Sequence, residues 1–176
     1  MIVRRAKAGD EREMASVHVA SWKTTYRGIV SEEYLESLKI EEREESWKKG
    51  IIHTKAFVAE EERGIVGFAN GGPERSGSYP DYDGELYAIY LLKECQGQGT
   101  GQNLVRQVAG ALKKAGFRSL LVRVLQNNPS RHFYEALGGI PIGTEEIEIG
   151  GDRYSELVYG WPDLNILIGK DESGGF

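Results

Sequence analysis

At 176 residues the chain has the length of one ordinary domain, and 40% hydrophobic with 28% charged residues is the balance of a globular protein with a real core. A formal charge of −5 and a pI near 5.4 argue against a nucleic-acid surface and favour cationic or neutral partners. A single cysteine, Cys95, excludes an internal disulfide; with no signal-peptide-like run after Met1 and no stretch long enough to cross a bilayer, the expected setting is cytoplasmic, without membrane contact.

The first expected element is a short strand, Ile2 to Arg5, followed by a helix that Asp10 caps and that runs to about Tyr26. On that helix His18, Trp22 and Tyr26 stand four apart on one face, which either packs in the core or borders a pocket. Gly28 breaks the helix, Ser31-Glu-Glu opens a second one carrying Tyr34, Leu35 and Leu38, and Glu41 to Lys48 is a solvated helical stretch anchored by Trp47. Lys55 to Glu61 and Gly64 to Asn70 read as a hairpin. The Gly71 to Gly84 segment is rich in Gly, Pro, Ser and Asp, and is expected to be a mobile loop. Its Glu74, Asp81 and Asp83 either attract a cation or are simply solvated.

Gly84 to Leu92 reads as a buried central strand that turns through Cys95-Gln-Gly-Gln-Gly-Thr-Gly101 into a helix whose Leu104, Val105, Val108, Ala111, Leu112 and Ala115 form one apolar face up to Gly116. Gly97, Gly99 and Gly101 permit positive φ and close approach of a ligand. The amides from Gln96 through Gly97, Gln98, Gly99, Thr100 and Gly101, with the helix dipole, make a seat for a phosphate or pyrophosphate, although such a turn is also compatible with a purely structural role. A P-loop is excluded because Gly101 is followed by Gln102-Asn103 rather than Lys-Ser/Thr, and a dinucleotide fingerprint because Gln102 stands where its third glycine belongs. Arg118 to Leu125 is a further strand. Asn128-Pro129 starts a helix to Leu137, Gly138-Gly139 ends it, and Ile140–Ile149 with Asp152–Trp161 form a last hairpin turning at Gly150-Gly151. Residues 1–162 are therefore read as one domain and 163–176 as a tail, whose Ile166-Leu-Ile168 packs either on the domain or on a second subunit. Three scattered histidines and one cysteine form no zinc pattern, so no metal is expected.

Two ordered motifs carry a resemblance. Gln96-Gly-Gln-Gly99-Thr-Gly101 is similar to the Gln-x-x-Gly-x-Gly acyl-CoA signature of the Gcn5-related N-acetyltransferase (GNAT) family. Asn127-Asn-Pro-Ser130-Arg-His-Phe133-Tyr134-Glu-Ala-Leu-Gly138-Gly139 resembles that family's second segment, with Ser130 where alanine is usual and Ile140 where an aromatic is usual. The resemblance covers roughly Ile2 to Trp161. It implies the GNAT fold, an α/β (α+β) domain with a mixed, mostly antiparallel central sheet of about seven strands and helices on both faces. It also implies acetyl-CoA as co-substrate and an amine acceptor, a small molecule more readily than a protein lysine or N-terminus. A CoA-binding module without turnover is the alternative of a different class, and a homodimer is compatible with the family. Carried over by position, Ile89 and Leu91 pair with the pantetheine arm, and Asn127 hydrogen-bonds it near Ser130. Tyr134 protonates the departing thiolate unless it merely fills the core. Glu85 serves as base unless water relays do, and Trp22 and Tyr26 border the acceptor pocket.

Overall fold

The computed structural model describes residues 1–169 of the chain. In chain order the elements are β1 (Ile2–Arg5), α1 (Glu11–Thr25), α2 (Glu32–Ser37), α3 (Ile40–Gly50), β2 (Lys55–Glu61), β3 (Gly64–Pro73), β4 (Gly84–Leu91), a 3₁₀ turn (Lys93–Cys95), α4 (Thr100–Lys114), β5 (Leu120–Leu125), α5 (Arg131–Ala136), β6 (Ile140–Ile149), β7 (Asp152–Trp161) and α6 (Asn165–Ile168). The strands form one seven-stranded sheet in the order β1-β2-β3-β4-β5-β7-β6. Every neighbouring pair is antiparallel except β4–β5, the parallel pair that α4 connects. This is the mixed sheet that the motifs imply. Among the described residues no helix is long and apolar enough to cross a membrane.

Strand alternation sorts the apolar residues onto two faces. Ala59 on β2, Val66 and Ala69 on β3, Leu86 on β4 and Val122 and Val124 on β5 pack with Leu104, Val105, Val108 and Leu112 of α4. The opposite face carries Ala56, Val58, Ile65 and Phe68, covered by Met14, Ala15 and Val17 of α1 and Trp47 of α3. Farther along that second face, Leu125 and Ile149 meet Val19, Tyr26, Val30, Leu35 and Leu38. Helices therefore cover both faces of the sheet.

The structure departs from the sequence reading at three places and decides a fourth that the sequence left open. Asp10 occupies the N-cap position of α1, yet its side chain caps nothing; its carboxylate instead accepts from Arg4 at 2.8 and 3.0 Å and from the Lys7 amide at 2.9 Å. The Gly71 to Gly84 segment is not a free loop. Gly71 to Pro73 extend β3, and residues 74–83 form a strap pinned at both ends. The Glu74 carboxylate accepts from Ser76 and Gly77, and Asp83 accepts from the amides of Arg118 and Ser119. Internal donors thus occupy the two carboxylates that were expected to meet solvent or a cation. Third, α5 begins at Arg131 rather than at Pro129, because Asn128 Oδ1 accepts the Ser130 amide at 2.9 Å and holds the chain in a turn first. Last, the tail packs on the domain as far as it is described: Leu164 and Leu167 are buried in the same cluster as α4, while Ile166 is exposed. Residues 170–176 of the expected tail lie outside the described residues.

Candidate active site

β4 and β5 begin as a parallel pair and then part. Only Gly84↔Leu120, Glu85↔Leu121 and Leu86↔Val122 are in register, although β4 runs on to Leu91 and β5 to Leu125. On the other side of β4 the ladder to β3 shifts between Asn70 and Gly71, so that Tyr87 falls between the paired Leu86 and Ala88. From Tyr87 to Leu91, β4 has no strand neighbour on its β5 side. The gap is the mouth of a cleft of about 780 Å³. Tyr87 to Leu91 and Val122 to Val124 form its walls; Gln96, Gly97, Gly99 and Gly101 close one end, and Asn128 to Ser130, Phe133 and Tyr134 lie along the α5 side.

The glycine turn works through two different physical effects. Gly97 (φ 74°) and Gly99 (φ 82°) are in the left-handed region, while a Cβ added at either would meet nothing within 4 Å; conformation, not space, selects glycine there. Gly101 has ordinary helical φ, contrary to the expectation for all three. Its hydrogen lies where a Cβ would sit 3.3 Å from the Phe133 ring, so close packing of α4 against α5 selects it. Gly99 is the N-cap of α4, no side chain caps that end, and the first turn holds no acidic residue. The amides there remain available to an anion. The side chains beside them are engaged within the protein: Gln96 Nε2 donates to Leu91 O at 3.2 Å, Gln98 Nε2 to Glu94 O at 3.3 Å, and Thr100 Oγ1 lies 2.9 Å from Met1 Sδ. What the turn offers a ligand is backbone.

Tyr134 lies on α5 with 5% of its surface exposed, its ring edge-on to Phe133 and Trp161. Among the described residues its hydroxyl has no hydrogen-bond partner, and it borders the cleft. Burial, with Tyr26 and Tyr90 nearby, pushes the phenol's pKa up, so the group is a proton donor throughout the neutral range. Ile89, Leu91 and Ser130 border the same cleft. Asn127 does not. It is exposed and lines a separate shallow depression with Arg153 and Tyr154, whereas the adjacent Asn128 is buried at the cleft and donates through Nδ2 to the Tyr26 hydroxyl at 3.1 Å. The reason is the turn at Leu125–Ser130: with Oδ1 of Asn128 holding the Ser130 amide, it is Asn128 that points inward.

The aromatic face of α1 divides. Tyr26 borders the cleft; Trp22 does not, because its Nε1 donates to the Tyr90 hydroxyl at 2.9 Å and its ring backs Tyr26 at 4.3 Å. His18 stacks on Tyr90 at 4.7 Å between Trp47 and Phe68, and burial, helped by Arg43, lowers its pKa to about 4. It is a neutral core residue.

Glu85 is 1% exposed and does not border the cleft. Its oxygens accept from the Arg75 guanidinium at 2.6 Å and the Arg75 amide at 3.2 Å, and lie 3.2 Å from Arg123 Nη1. Arg75 comes from the strap, which folds back over the start of β4 and stacks on Tyr87 at 4.1 Å. Arg123 also holds Glu74 at 3.2 Å and Glu145 at 2.8 Å. A buried carboxylate held by two guanidiniums and set back from the cleft is fixed within the scaffold, so the geometry gives Glu85 a scaffolding part rather than that of an open base. Arg123 itself was missed in the sequence, although a lone charge inside the otherwise apolar Leu120–Leu125 strand was its signal.

Comparisons with known proteins agree with this arrangement. The family model described as FR47-like protein matches residues 76–147, the span from the strap to β6. A Bacillus subtilis (strain 168) protein named uncharacterized N-acetyltransferase YuaI is 46% identical over 166 residues, covering 94% of this chain and 95% of that one. Among solved structures, the paiA N-acetyltransferase of Thermoplasma acidophilum, in complex with coenzyme A, is 26% identical with a TM-score of 0.70 over 88% of this chain and 96% of that chain. The fold is likewise that of a GNAT-superfamily phosphinothricin acetyltransferase from Sinorhizobium meliloti in complex with acetyl-CoA, 22% identical with a TM-score of 0.67 over 92% of this chain and 88% of that one. With 46% identity across nearly the whole of both sequences, and with the splayed β4–β5 pair leading from a glycine turn to a buried tyrosine, the chain belongs to the Gcn5-related N-acetyltransferase family of acyl-CoA-dependent N-acyltransferases.

Proposed function

We propose that this protein transfers the acetyl group of acetyl-CoA to a primary amine on a small molecule, by direct attack within a ternary complex. The observation that carries the reading is the run of features along one cleft: uncapped amides at the start of α4, a β4 edge with no strand neighbour from Tyr87 to Leu91, and the unpartnered Tyr134 hydroxyl. Their chemistry fits the donor in sequence. The left-handed Gly97 and Gly99 aim amides where a pyrophosphate would lie, the open β4 edge can pair with an amide-bearing arm as an added strand would, and the phenol meets the end that carries sulfur. Holding both reactants in one cleft turns attack on the thioester into an effectively unimolecular step. Tyr134, kept protonated by burial, supplies a proton to the departing thiolate.

A small acceptor is supported by how the acceptor side is walled. The strap is seated on the β6–β7 hairpin, with Tyr79 against Gly143 and Tyr82 against Gly160, while Tyr26 and its Trp22 backing stand opposite. The test is thiol release from acetyl-CoA against polyamines, amino acids, aminoglycosides and short peptides, beside calorimetric titration of CoA. Release with a small amine is expected. Release with peptides alone would move the acceptor to protein, and failure to bind CoA would overturn the reading.

A further inference from the structure

Two phenols at the cleft carry protons to which the fold gives no acceptor. Asn128 Oδ1 faces the Ser130 amide at 2.9 Å, and a backbone amide can only donate, so the other terminal atom of that side chain is Nδ2, a donor. Lying 3.1 Å from the Tyr26 hydroxyl, it makes the Tyr26 oxygen the acceptor of their bond. An indole N–H likewise can only donate, so Trp22 Nε1 makes the Tyr90 oxygen an acceptor at 2.9 Å. Among the described residues neither O–H hydrogen has a partner of its own. Both tyrosines line the cleft, and no aspartate or glutamate is among the described residues that line it.

The two differ in where the oxygen points. That of Tyr90 is turned toward Trp22, which lies outside the cleft, whereas that of Tyr26 is turned toward Asn128, which lines it. Tyr26 is also held rigidly: its amide donates to Trp22 O, its carbonyl accepts from the amides of Ile29 and Val30, each at 2.9 Å, and Trp22 backs its ring. Burial, with Tyr90 adding to it and the Asn128 bond opposing, pushes the Tyr26 pKa up, so the proton stays on the oxygen through the neutral range. Tyr26 and Tyr90 both act on the charge of Tyr134, which places the three hydroxyls in one neighbourhood. A thioester whose sulfur meets Tyr134 carries its carbonyl oxygen on the carbon bonded to that sulfur, and so presents it in the same neighbourhood. A fixed, neutral donor facing the point where negative charge develops is what acyl transfer requires.

Resting on the acetyl-transfer reading above, we propose that Tyr26 is a catalytic residue of this site: its hydroxyl, aimed by Asn128, donates to the thioester carbonyl oxygen and stabilises the oxyanion that forms there. The amine, attacking as its free base, forms the C–N bond while the carbonyl π pair moves onto the oxygen, against the Tyr26 O–H. As the C=O bond forms again the C–S bond breaks, and the thiolate takes the Tyr134 proton. The proton lost by the nitrogen restores the Tyr134 phenol. Tyr26 keeps its own proton throughout, and Asn128 is a positioning residue that acts through it.

Two variants alter this donor from opposite ends. Tyr26→Phe removes it. Asn128→Asp keeps the turn, because a carboxylate oxygen still accepts the Ser130 amide, but its second oxygen accepts the Tyr26 proton instead of donating to the Tyr26 oxygen. Each should lower kcat by about 10²–10³-fold, the cost of one oxyanion donor, and leave the affinity for CoA, which lacks the acetyl carbonyl, unchanged. The readout that a structural role would not move is the infrared stretch of acetyl-CoA isotopically labelled at the thioester carbonyl and bound without amine. In the wild type that band should lie below its position in water, and in both variants it should move back up. In Asn128→Asp it should return toward the wild-type position as pH falls, since a protonated carboxyl again donates to the Tyr26 oxygen. A wild-type band not lowered from its position in water overturns the proposal, as does wild-type kcat in Tyr26→Phe. A band unmoved in Tyr26→Phe, with a raised KM for the amine, overturns it too and gives the Tyr26 proton to the acceptor. Failure of the wild type to bind CoA would instead overturn the functional reading itself.

Discussion

Removing one oxygen from Tyr134 separates catalysis from stability. The ring is buried, while the hydroxyl borders the cleft and makes no hydrogen bond among the described residues, so Tyr134→Phe removes a group that ties nothing together in the fold. With no hydrogen bond to lose, the variant should stay within about 0.5 kcal/mol of wild type, a shift of no more than about 2 °C in thermal midpoint. The ring keeps its contacts with Phe133, Tyr159 and Trp161, so CoA affinity should hold. Turnover should not. A positioned acid contributes about 10²–10⁴-fold, or roughly 2.7–5.4 kcal/mol of transition-state stabilisation. The assay is single-turnover thiol release, with calorimetric CoA titration and a melting curve on the same preparation. Because burial raises the phenol's pKa, the wild-type rate should show no loss of this acid anywhere in the neutral range. Unchanged turnover in Tyr134→Phe would refute the acid role, and a drop in melting temperature would refute the claim that the hydroxyl lacks a partner.

Three further outcomes follow from the geometry. Gly99→Ala forces a Cβ into φ 82°, at a cost of about 1–2 kcal/mol, and should weaken CoA binding about tenfold; Gly110→Ala, inside α4 with nothing within 4 Å of the new methyl, should raise stability by about 0.5–1 kcal/mol and leave binding alone, and equal CoA affinity in both variants would contradict the turn's role. Asn128→Ala loses the bonds to Tyr26 and to the Ser130 amide and should destabilise by about 1–3 kcal/mol, while Asn127→Ala stays within about 0.5 kcal/mol by denaturant titration; the reverse order would return the inward position to Asn127. For the strap, burial raises the Glu74 pKa, but bonds from Ser76, Gly77 and Arg123 outweigh it and bring it from 4.5 to about 2. A lowered carboxylate pKa stabilises fully above 4.5 and is lost as pH falls toward 2, so wild type should lose melting temperature through that window more steeply than Glu74→Gln, and parallel curves would contradict the strap's anchoring.

Much of the fold was legible because its signals are local. The last hairpin has its predicted limits, since Gly150 and Gly151, both at positive φ, allow only a tight turn between two alternating strands. The β4–turn–α4 unit could be read from one apolar run, a glycine turn and one helical face. What could not be read depends on partners distant in sequence. Glu85 looked like a free carboxylate at a strand start until Arg75 and Arg123, ten and 38 residues away, closed on it. Asn127 and Asn128 are indistinguishable by spacing, and only the hydrogen bond that shapes the turn decides which faces inward. The Gly71 to Gly84 composition suggested mobility, yet composition does not say that Glu74 and Asp83 find their donors inside the protein.

The arginine in β5 is the hub of the carboxylates around the start of β4. A guanidinium with five donors can hold several carboxylates in fixed geometry, and Arg123, 17% exposed, holds Glu74 of the strap, Glu85 of β4 and Glu145 of β6. That one side chain ties strap, central strand and edge strand together, which is why a charge is retained in β5 where its strand neighbours are apolar.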